Sequence, residues 1–125
     1  MEGLKQEFLL AGGTGMIGSA LSERLIRDGH QVSVLSRRSD LRKAVRVFAW
    51  NPSDGSMDPG ALRDGQVIIN LAGSSIAGGR WTDSAKKEII RSRVNASNTL
   101  ISGLLESGCR PRAILQASAI GYYGH

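Results

Sequence analysis

Short apolar runs alternate along the chain with longer stretches whose apolar residues recur at helical spacing. The short runs hold four to seven residues, mostly Val, Ile, Leu and Ala, and lie at 8–11, 31–36, 44–50, 66–72 and 113–118. Runs of this kind predict parallel strands that are covered on both faces. The longer stretches predict helices over Met16–Asp28 and over about 25 residues ending at Ser107. The alternation predicts an α/β protein with a three-layer, doubly wound parallel sheet of strand order 3-2-1-4-5 that ends after its fifth strand.

Both predicted helices carry capping signals. Gly29 follows the first helix, Thr82 precedes the second, and Gly108 follows the second. The second helix is predicted to pack through a stripe formed by Ile90, Val94, Ser97, Ile101 and Leu104. The stretch 51–65 is rich in Asn, Pro, Ser, Asp and Gly, which predicts a loop with one helical turn at 61–64.

A glycine-rich turn joins the first predicted strand to the first helix. Three glycines recur at intervals of three residues, in the segment Gly12, Gly13, Thr14, Gly15, Met16, Ile17 and Gly18. Glycine reaches the backbone angles of such a turn and has no Cβ to block an approaching pyrophosphate. The free N–H groups and the dipole of the helix start favour an anion. We therefore predict a Rossmann-like dinucleotide site; the alternative is a glycine-rich turn without a ligand.

The end of the second predicted strand indicates which dinucleotide binds. In dinucleotide folds this position contacts the adenosine ribose, and an acidic residue there favours NAD(H). The chain has Ser36, Arg37 and Arg38 instead. Because arginine makes charge-assisted, often bidentate bonds with phosphate, we predict NADP(H) in preference to NAD(H). The alternative is a solvated basic loop, which is our interpretation of Arg42 and Lys43.

The ends of the third and fourth predicted strands complete the candidate cofactor site. The third strand ends beside the adenine in such a fold, so Trp50 or Asn51 is placed there, although Trp50 fits core packing equally well. The fourth strand closes with residues that let the backbone pass near the cofactor: Asn70, Leu71, Ala72 and Gly73.

Composition limits the class of protein. The 125 residues, 41% hydrophobic and 22% charged, fit one globular domain spanning residues 1–125. The net charge of +5 comes from local clusters without interleaved aromatic residues, which argues against a nucleic acid partner. Cys109 is the single cysteine, so no internal disulfide and no metal site is expected, and a cytoplasmic location fits. No apolar run approaches the length of a membrane span, so no membrane partner is expected.

Several motifs, taken in order, resemble the extended and atypical short-chain dehydrogenase/reductases. They are the glycine-rich turn, Asn-Leu-Ala-Gly at 70–73 and Ser-Ala-Ile-Gly-Tyr-Tyr-Gly at 118–124. The chain is most similar to the NAD-dependent epimerase/dehydratase-like subgroup, also labelled cell-division-inhibitor-like epimerases. That similarity rests on Trp-Asn-Pro at 50–52, Gly-Arg-Trp-Thr at 79–82, Lys-x-x-Ile within 86–90 and Ser-Arg at 92–93.

The resemblance implies an NAD(P)-binding Rossmann domain and chemistry on a sugar nucleotide or a similar alcohol or ketone. In that superfamily a Ser or Thr after the fifth strand polarises the substrate oxygen, and a Tyr with a nearby Lys transfers the proton. Ala119 falls where that hydroxyl often lies, and Ser118, one residue away, is the candidate for the first role. The alternative for Ser118, which we favour, is a cofactor-lining or structural serine. Tyr122 and Tyr123 are not followed by a lysine at four residues, so the second role is not assigned.

Extended members of that superfamily are more than twice as long as this chain. Residues 1–125 are therefore expected to be the N-terminal, NADP(H)-binding portion of an epimerase or oxidoreductase, without the C-terminal substrate lobe. The alternatives are a non-catalytic NADP(H)-binding sensor or regulatory module and a structural half-domain that binds nothing. A fifth strand at the sheet edge, beside apolar helix surface, predicts homo-oligomers through that edge.

Overall fold

The computed structural model describes residues 5–12, 16–37, 45–71 and 82–116, and one sheet runs through all four segments. Its strands are β1 (Glu7–Ala11), β2 (Gln31–Ser36), β3 (Arg46–Asn51), β4 (Ser56–Met57), β5 (Val67–Asn70) and β6 (Ala113–Gln116). The helices are α1 (Met16–Arg27) and α2 (Asp83–Ser107), with a short 3-10 helix at Pro59–Ala61. The strand order across the sheet is β4-β3-β2-β1-β5-β6.

The sheet confirms the predicted α/β class and differs from the predicted strand order in one detail. The five parallel strands keep the order 3-2-1-4-5, but β4 adds an antiparallel strand beyond β3. Gly55, at φ +79°, turns the chain back so that Met57 pairs with Trp50. A two-residue strand has no readable alternation, so the sequence pattern missed it.

The one helical turn predicted at 61–64 lies earlier, at Pro59–Ala61, and is a 3-10 helix. The Asp58 carboxylate accepts a hydrogen bond from the Gly60 N–H at 2.8 Å and so caps the turn. Pro59 occupies the first helical position, where its missing N–H costs no hydrogen bond.

The central strand β1 is sealed on both faces. Leu9, Leu10 and Ala11 are each 0% exposed. Because side chains alternate along a strand, Leu9 and Ala11 face one way and pack with Ala96 and Leu100 of α2. Leu10 faces the other way and packs in the cluster that includes Leu21 and Leu25 of α1. The two helices therefore cover opposite faces of the sheet, as a three-layer architecture requires.

Both predicted glycine caps are confirmed. Gly29 has φ +91°, and its N–H donates to the Ile26 carbonyl at 3.0 Å while the His30 N–H donates to the Leu25 carbonyl at 3.0 Å. This pair of bonds satisfies carbonyls that the end of α1 leaves without partners. Gly108 has φ +73° after α2, and its N–H donates to the Leu104 carbonyl at 3.0 Å.

α2 ends where predicted. Leu104 of the predicted stripe packs against the core, but the prediction was wrong for the other three bulky apolar residues of that stripe. Ile90 is 62% exposed, and Val94 and Ile101 are also exposed. The buried positions are Ala96, Thr99 and Leu100. Small residues on this face let α2 lie close to the sheet and to β4. At Gly103, for example, an added Cβ would lie only 2.6 Å from Met57 Sδ. Periodicity of bulky apolar residues selected the outer face because it gave no weight to small ones.

Ser22 on α1 provides a test of this packing. The residue is 2% exposed, and its hydroxyl has no hydrogen-bond partner among the described residues. A buried hydroxyl without a partner loses its bonds to water and gains none.

Replacing Ser22 by Ala is expected to raise the free energy of unfolding by about 1 kcal/mol, of which about 0.5 kcal/mol is helix propensity. Urea denaturation measures the change. The matched control, Ser102→Ala on the exposed side of α2, is expected to gain only the propensity contribution. A Ser22→Ala protein less stable than the wild type would contradict the unpaired hydroxyl.

Candidate functional site

The carboxyl ends of β1 and β5 mark the point where the path of the chain through the sheet reverses. α1 connects β1 to β2 across one face, whereas α2 connects β5 to β6 across the other. In open α/β sheets, ligands bind in the crevice outside such a switch point. The Leu71 N–H donates to the Ala11 carbonyl at 2.7 Å and ties these two strand ends together at the floor of the crevice.

Gly12 begins the predicted glycine-rich turn directly after β1. Its φ of +82° lies in the left-handed region, which costs glycine little and other residues considerably more. α1 begins at Met16, so the change from strand to helix is complete within four residues. The predicted ligand contacts of Gly13, Thr14 and Gly15 lie outside the described residues.

The first turn of α1 directs its main-chain N–H groups toward this end of the sheet. The N–H groups of a helix start have no intrahelical partners and favour an anion. Gly18 is buried, as expected for a glycine that lets the helix lie close to the sheet. The Ile17 side chain is exposed beside the turn.

The end of β2 lies next to the end of β1, where the glycine-rich segment begins at Gly12. Ala11 is in register with Leu35, so the residues that follow them, Gly12 and Ser36, end neighbouring strands side by side. Ser36 is buried, and Arg37 is exposed at the strand end. The backbone at this strand end lies about one strand spacing, roughly 4.8 Å, from the end of β1. Arg38 lies outside the described residues.

Trp50 and Asn70, both predicted cofactor contacts, are buried in the structure. Trp50 is 6% exposed and belongs to the cluster that α2 covers. The Asn70 Nδ2 donates to the Gln116 Oε1 at 3.1 Å and so joins the ends of β5 and β6. Leu71 is half-buried. These contacts position the strand ends, and direct contact of the three residues with a cofactor stays a prediction. Ala72, Gly73 and Ser118 lie outside the described residues.

A polar groove of about 220 Å³ lies between α2 and the turn that follows β3. The sequence motifs do not predict this groove. We call it the β3–α2 groove. Its lining residues are Pro52, Ser53 and Gly55 from the turn, with Asn95, Asn98, Thr99 and Ser102 from α2. The four helix residues recur at spacings of three, one and three, so a polar stripe at helical spacing was the available signal.

Hydrogen bonds hold the turn beside this groove. The Gly55 N–H donates to the Asn51 carbonyl at 2.9 Å, and the Ser53 N–H donates to Asn51 Oδ1 at 3.1 Å. The Ser56 hydroxyl and N–H both donate to Asp54 Oδ1, at 2.6 and 2.9 Å. These two bonds hold the pKa of the Asp54 carboxyl below its ordinary value, and the bond from the Ser56 hydroxyl has the larger effect.

The described residues contain no group of three His, Cys, Asp or Glu side chains arranged to hold a metal ion. None of their helices combines the length and the apolar character that crossing a membrane requires.

Known proteins resemble this chain over most of its length. The family model for the NAD dependent epimerase/dehydratase family matches residues 8–125. The epimerase family protein YfhF of Bacillus subtilis is 39% identical over 117 residues, which are 92% of this chain and 38% of that protein. The crystal structure of human epimerase family protein SDR39U1 (isoform 2) with NADPH is 28% identical, with a TM-score of 0.73, over 94% of this chain and 38% of that one.

A solved nucleoside-diphosphate sugar epimerase from Corynebacterium glutamicum is also similar. It is 29% identical, with a TM-score of 0.69, over 98% of this chain and 24% of that one. The chain thus spans well under half the length of the curated relatives it matches, between 36% and 39% of each.

Gly12→Ala is expected to destabilise the protein by about 1 kcal/mol or more, because alanine pays a steric cost at φ +82°. It is also expected to weaken dinucleotide binding, because the turn and its N–H groups shift. Thermal unfolding with and without NADPH separates the two effects. The control is Gly29→Ala, whose φ of +91° imposes a similar backbone cost at the opposite end of α1. Equal losses of NADPH binding in both variants would contradict a ligand at the glycine-rich turn.

Proposed function

Because the chain belongs to the NAD dependent epimerase/dehydratase family, we propose that residues 1–125 form the NADP(H)-binding domain of an epimerase or oxidoreductase. The observation that carries this proposal is the left-handed Gly12, placed between the buried strand β1 and the start of α1. The start of a helix offers N–H groups without intrahelical partners, and at a switch point a pyrophosphate finds there both hydrogen bonds and a favourable dipole. The substrate lobe belongs to the part of the relatives that this chain does not span.

The preference for NADP(H) over NAD(H) rests on the end of β2. Arg37 is exposed one strand away from Gly12, where the ribose of a dinucleotide carries its 2′-phosphate. A guanidinium forms short, charge-assisted bonds with phosphate and favours the phosphorylated cofactor. The human relative solved with NADPH is consistent with this assignment.

In this proposal the residues of this chain bind and orient the dinucleotide, and the bound cofactor supplies the chemistry of hydride transfer. The similarity to a nucleoside-diphosphate sugar epimerase supports a sugar nucleotide, or a related alcohol or ketone, as the substrate of the whole protein. Ser118 follows β6, the neighbour of β5, and in this proposal it polarises the substrate oxygen. Ser118→Ala in the whole protein is then expected to lower kcat and leave NADPH affinity unchanged.

The outer edge of β6 is the proposed site of self-association. Among the described residues β6 pairs only with β5. Ile114 and Leu115 lie on opposite faces of β6 and are 51% and 53% exposed, although strands of a parallel sheet are ordinarily covered on both faces. Light scattering at micromolar concentration is expected to show a dimer or larger species, and a monomer would contradict this proposal.

Thermal unfolding in the presence of NADPH, NADP⁺, NADH and NAD⁺ tests the cofactor assignment. Binding to the native state stabilises it by RT ln(1 + [L]/Kd), about 2.7 kcal/mol at a hundredfold excess over Kd. We expect the largest rise in Tm with NADPH. In Arg37→Asp the preference for NADPH over NADH is expected to fall by about tenfold or more, because a charge-assisted bond contributes about 1.5–3 kcal/mol.

The control for this experiment is Arg46→Asp, which makes the same change of charge at the start of β3. That position lies at the amino-terminal ends of the strands, away from the candidate site. It is expected to keep the wild-type preference. If none of the four dinucleotides stabilises the chain, the proposed function is refuted. If Arg37→Asp keeps the wild-type preference for NADPH over NADH, only the role of Arg37 is refuted.

A further inference from the structure

A cluster of basic residues lies at the amino-terminal ends of the strands, at the opposite end of the sheet from the candidate cofactor site. We call the cluster formed by Lys5, Arg63, Arg110 and Arg112 the amino-edge patch. All four residues are exposed. Lys5 precedes β1 and Arg112 directly precedes β6, and the length of β1, roughly 16 Å, separates the patch from the glycine-rich turn.

Hydrogen bonds around the Gln6 side chain bring three separate segments of the chain together in this patch. Arg112 Nη1 donates to Gln6 Oε1 at 3.0 Å, and Gln6 Nε2 donates to the Gly65 carbonyl at 2.7 Å. The Gly65 N–H in turn donates to the Arg110 carbonyl at 2.8 Å. Residues far apart in the sequence therefore form one continuous surface.

The Arg112 guanidinium is oriented without being neutralised. Gln6 is itself held firmly, because its N–H donates to His30 Nδ1 at 3.1 Å and its carbonyl accepts from the Gln31 N–H at 3.1 Å. Within the described part of the chain, the bond to Gln6 is the one contact that the guanidinium makes. A neutral amide fixes the direction of the group and leaves its positive charge and its other N–H donors available.

The backbone that carries Arg110 and Arg112 is also fixed. The Arg110 N–H donates to Asp64 Oδ1 at 2.7 Å, and the Arg112 N–H donates to the Gln66 carbonyl at 2.8 Å. Pro111 fixes its own φ angle and restricts the residue before it. The Arg110 guanidinium makes no contact with the described residues. A ligand that binds these arginines therefore pays little entropy for ordering the backbone beneath them.

The charge of the patch is not balanced by its surroundings. Two carboxylates lie within it: Glu7 Oε2, which is 3.3 Å from Arg63 Nη1, and Asp64, which accepts from the Arg110 backbone. The first is a surface ion pair, with the two side chains 49% and 35% exposed, and such pairs stabilise a fold little. The last turn of α1 has its own basic residues, Arg24 and Arg27, so the patch is not required to balance the dipole of that helix.

We propose that the amino-edge patch docks an acidic segment of a partner protein. The carboxylates of Asp and Glu form paired, charge-assisted bonds with guanidinium groups. A protein segment can place carboxylates beside Arg110 and Arg112 and neutral residues beside Glu7 and Asp64. The continuous phosphate charge of a nucleic acid or of an anionic lipid surface would meet both carboxylates of the patch. Because the patch and the candidate cofactor site lie at opposite ends of the strands, the two ligands bind independently.

Fluorescence anisotropy with labelled decaglutamate and the 125-residue chain tests this proposal. The wild type is expected to bind the peptide, and the affinity is expected to fall as NaCl is raised from about 50 to about 200 mM. Arg110→Glu combined with Arg112→Glu is expected to weaken binding about tenfold, because attraction becomes repulsion. The control combines Lys87→Glu with Arg91→Glu, which makes the same change of net charge at exposed positions of α2. It is expected to stay within about twofold of the wild type.

Arg110→Glu alone keeps the test valid if the double variant fails to fold, because this guanidinium makes no contact with the described residues. It is expected to weaken binding of decaglutamate about threefold. Equal losses in the patch variant and the α2 control, or no binding by the wild type, would overturn the proposal. It is also overturned if a deoxyadenosine 20-mer or phosphatidylserine vesicles bind more tightly than decaglutamate and lose that affinity in Arg110→Glu.

The rise in Tm with NADPH tests whether the patch is independent of the cofactor site. We expect the same rise in the wild type and in Arg110→Glu, with or without decaglutamate. A rise that decaglutamate abolishes would overturn the separation of the two sites. A wild type that binds decaglutamate but no dinucleotide would overturn the proposed function and leave the docking surface standing.

Discussion

Complete burial of Leu9, Leu10 and Ala11, the last three residues of β1, is the constraint on which the rest of this structure depends. Leu9 and Ala11 are enclosed by the α2 layer and Leu10 by the α1 layer, while β2 and β5 occupy both edges. A strand with no free face or edge ends in a place that the rest of the fold fixes. Its carboxyl end can therefore hold a glycine in the left-handed conformation and direct α1 back across the sheet.

The candidate site follows from that strand end outward. Hydrogen bonds from Leu71 to Ala11 and from Asn70 to Gln116 align the ends of β1, β5 and β6. On the other side of β1, pairing with β2 places Arg37 at the strand end next to Gly12. Pairing of β2 with β3 places the end of β3, and with it the β3–α2 groove, next along the sheet. Buried polar side chains at these strand ends hold the backbone in place, and exposed ones remain available for a ligand.

Local features of the sequence predicted what local physics decides. The strand–glycine–helix sequence around Gly12 and the glycine caps at Gly29 and Gly108 depend on nearby residues only, and the structure confirms the strand, the helix and both caps. The packing face of α2 depends on what the helix meets, and its small residues Ala96, Thr99 and Gly103 carry a weak hydrophobic signal. β4 depends on a turn that folds back on β3, which no periodicity within two residues reveals. The β3–α2 groove joins residues at least 40 positions apart, so only the fold brings them together.

The most direct test of a dinucleotide site at the carboxyl end of β1 is a ¹⁵N–¹H correlation NMR titration of the chain with NADPH. We expect the largest shift changes at the amides of Gly12, Ile17, Gly18 and Arg37, because these residues follow β1, begin α1 or follow β2, its neighbour. The chemical shifts of amides at the amino-terminal ends of the strands, such as those of Gly29 and Gly65, are expected to stay unchanged. Shift changes concentrated at those ends, or a saturated complex without shift changes at Gly12, would contradict the account.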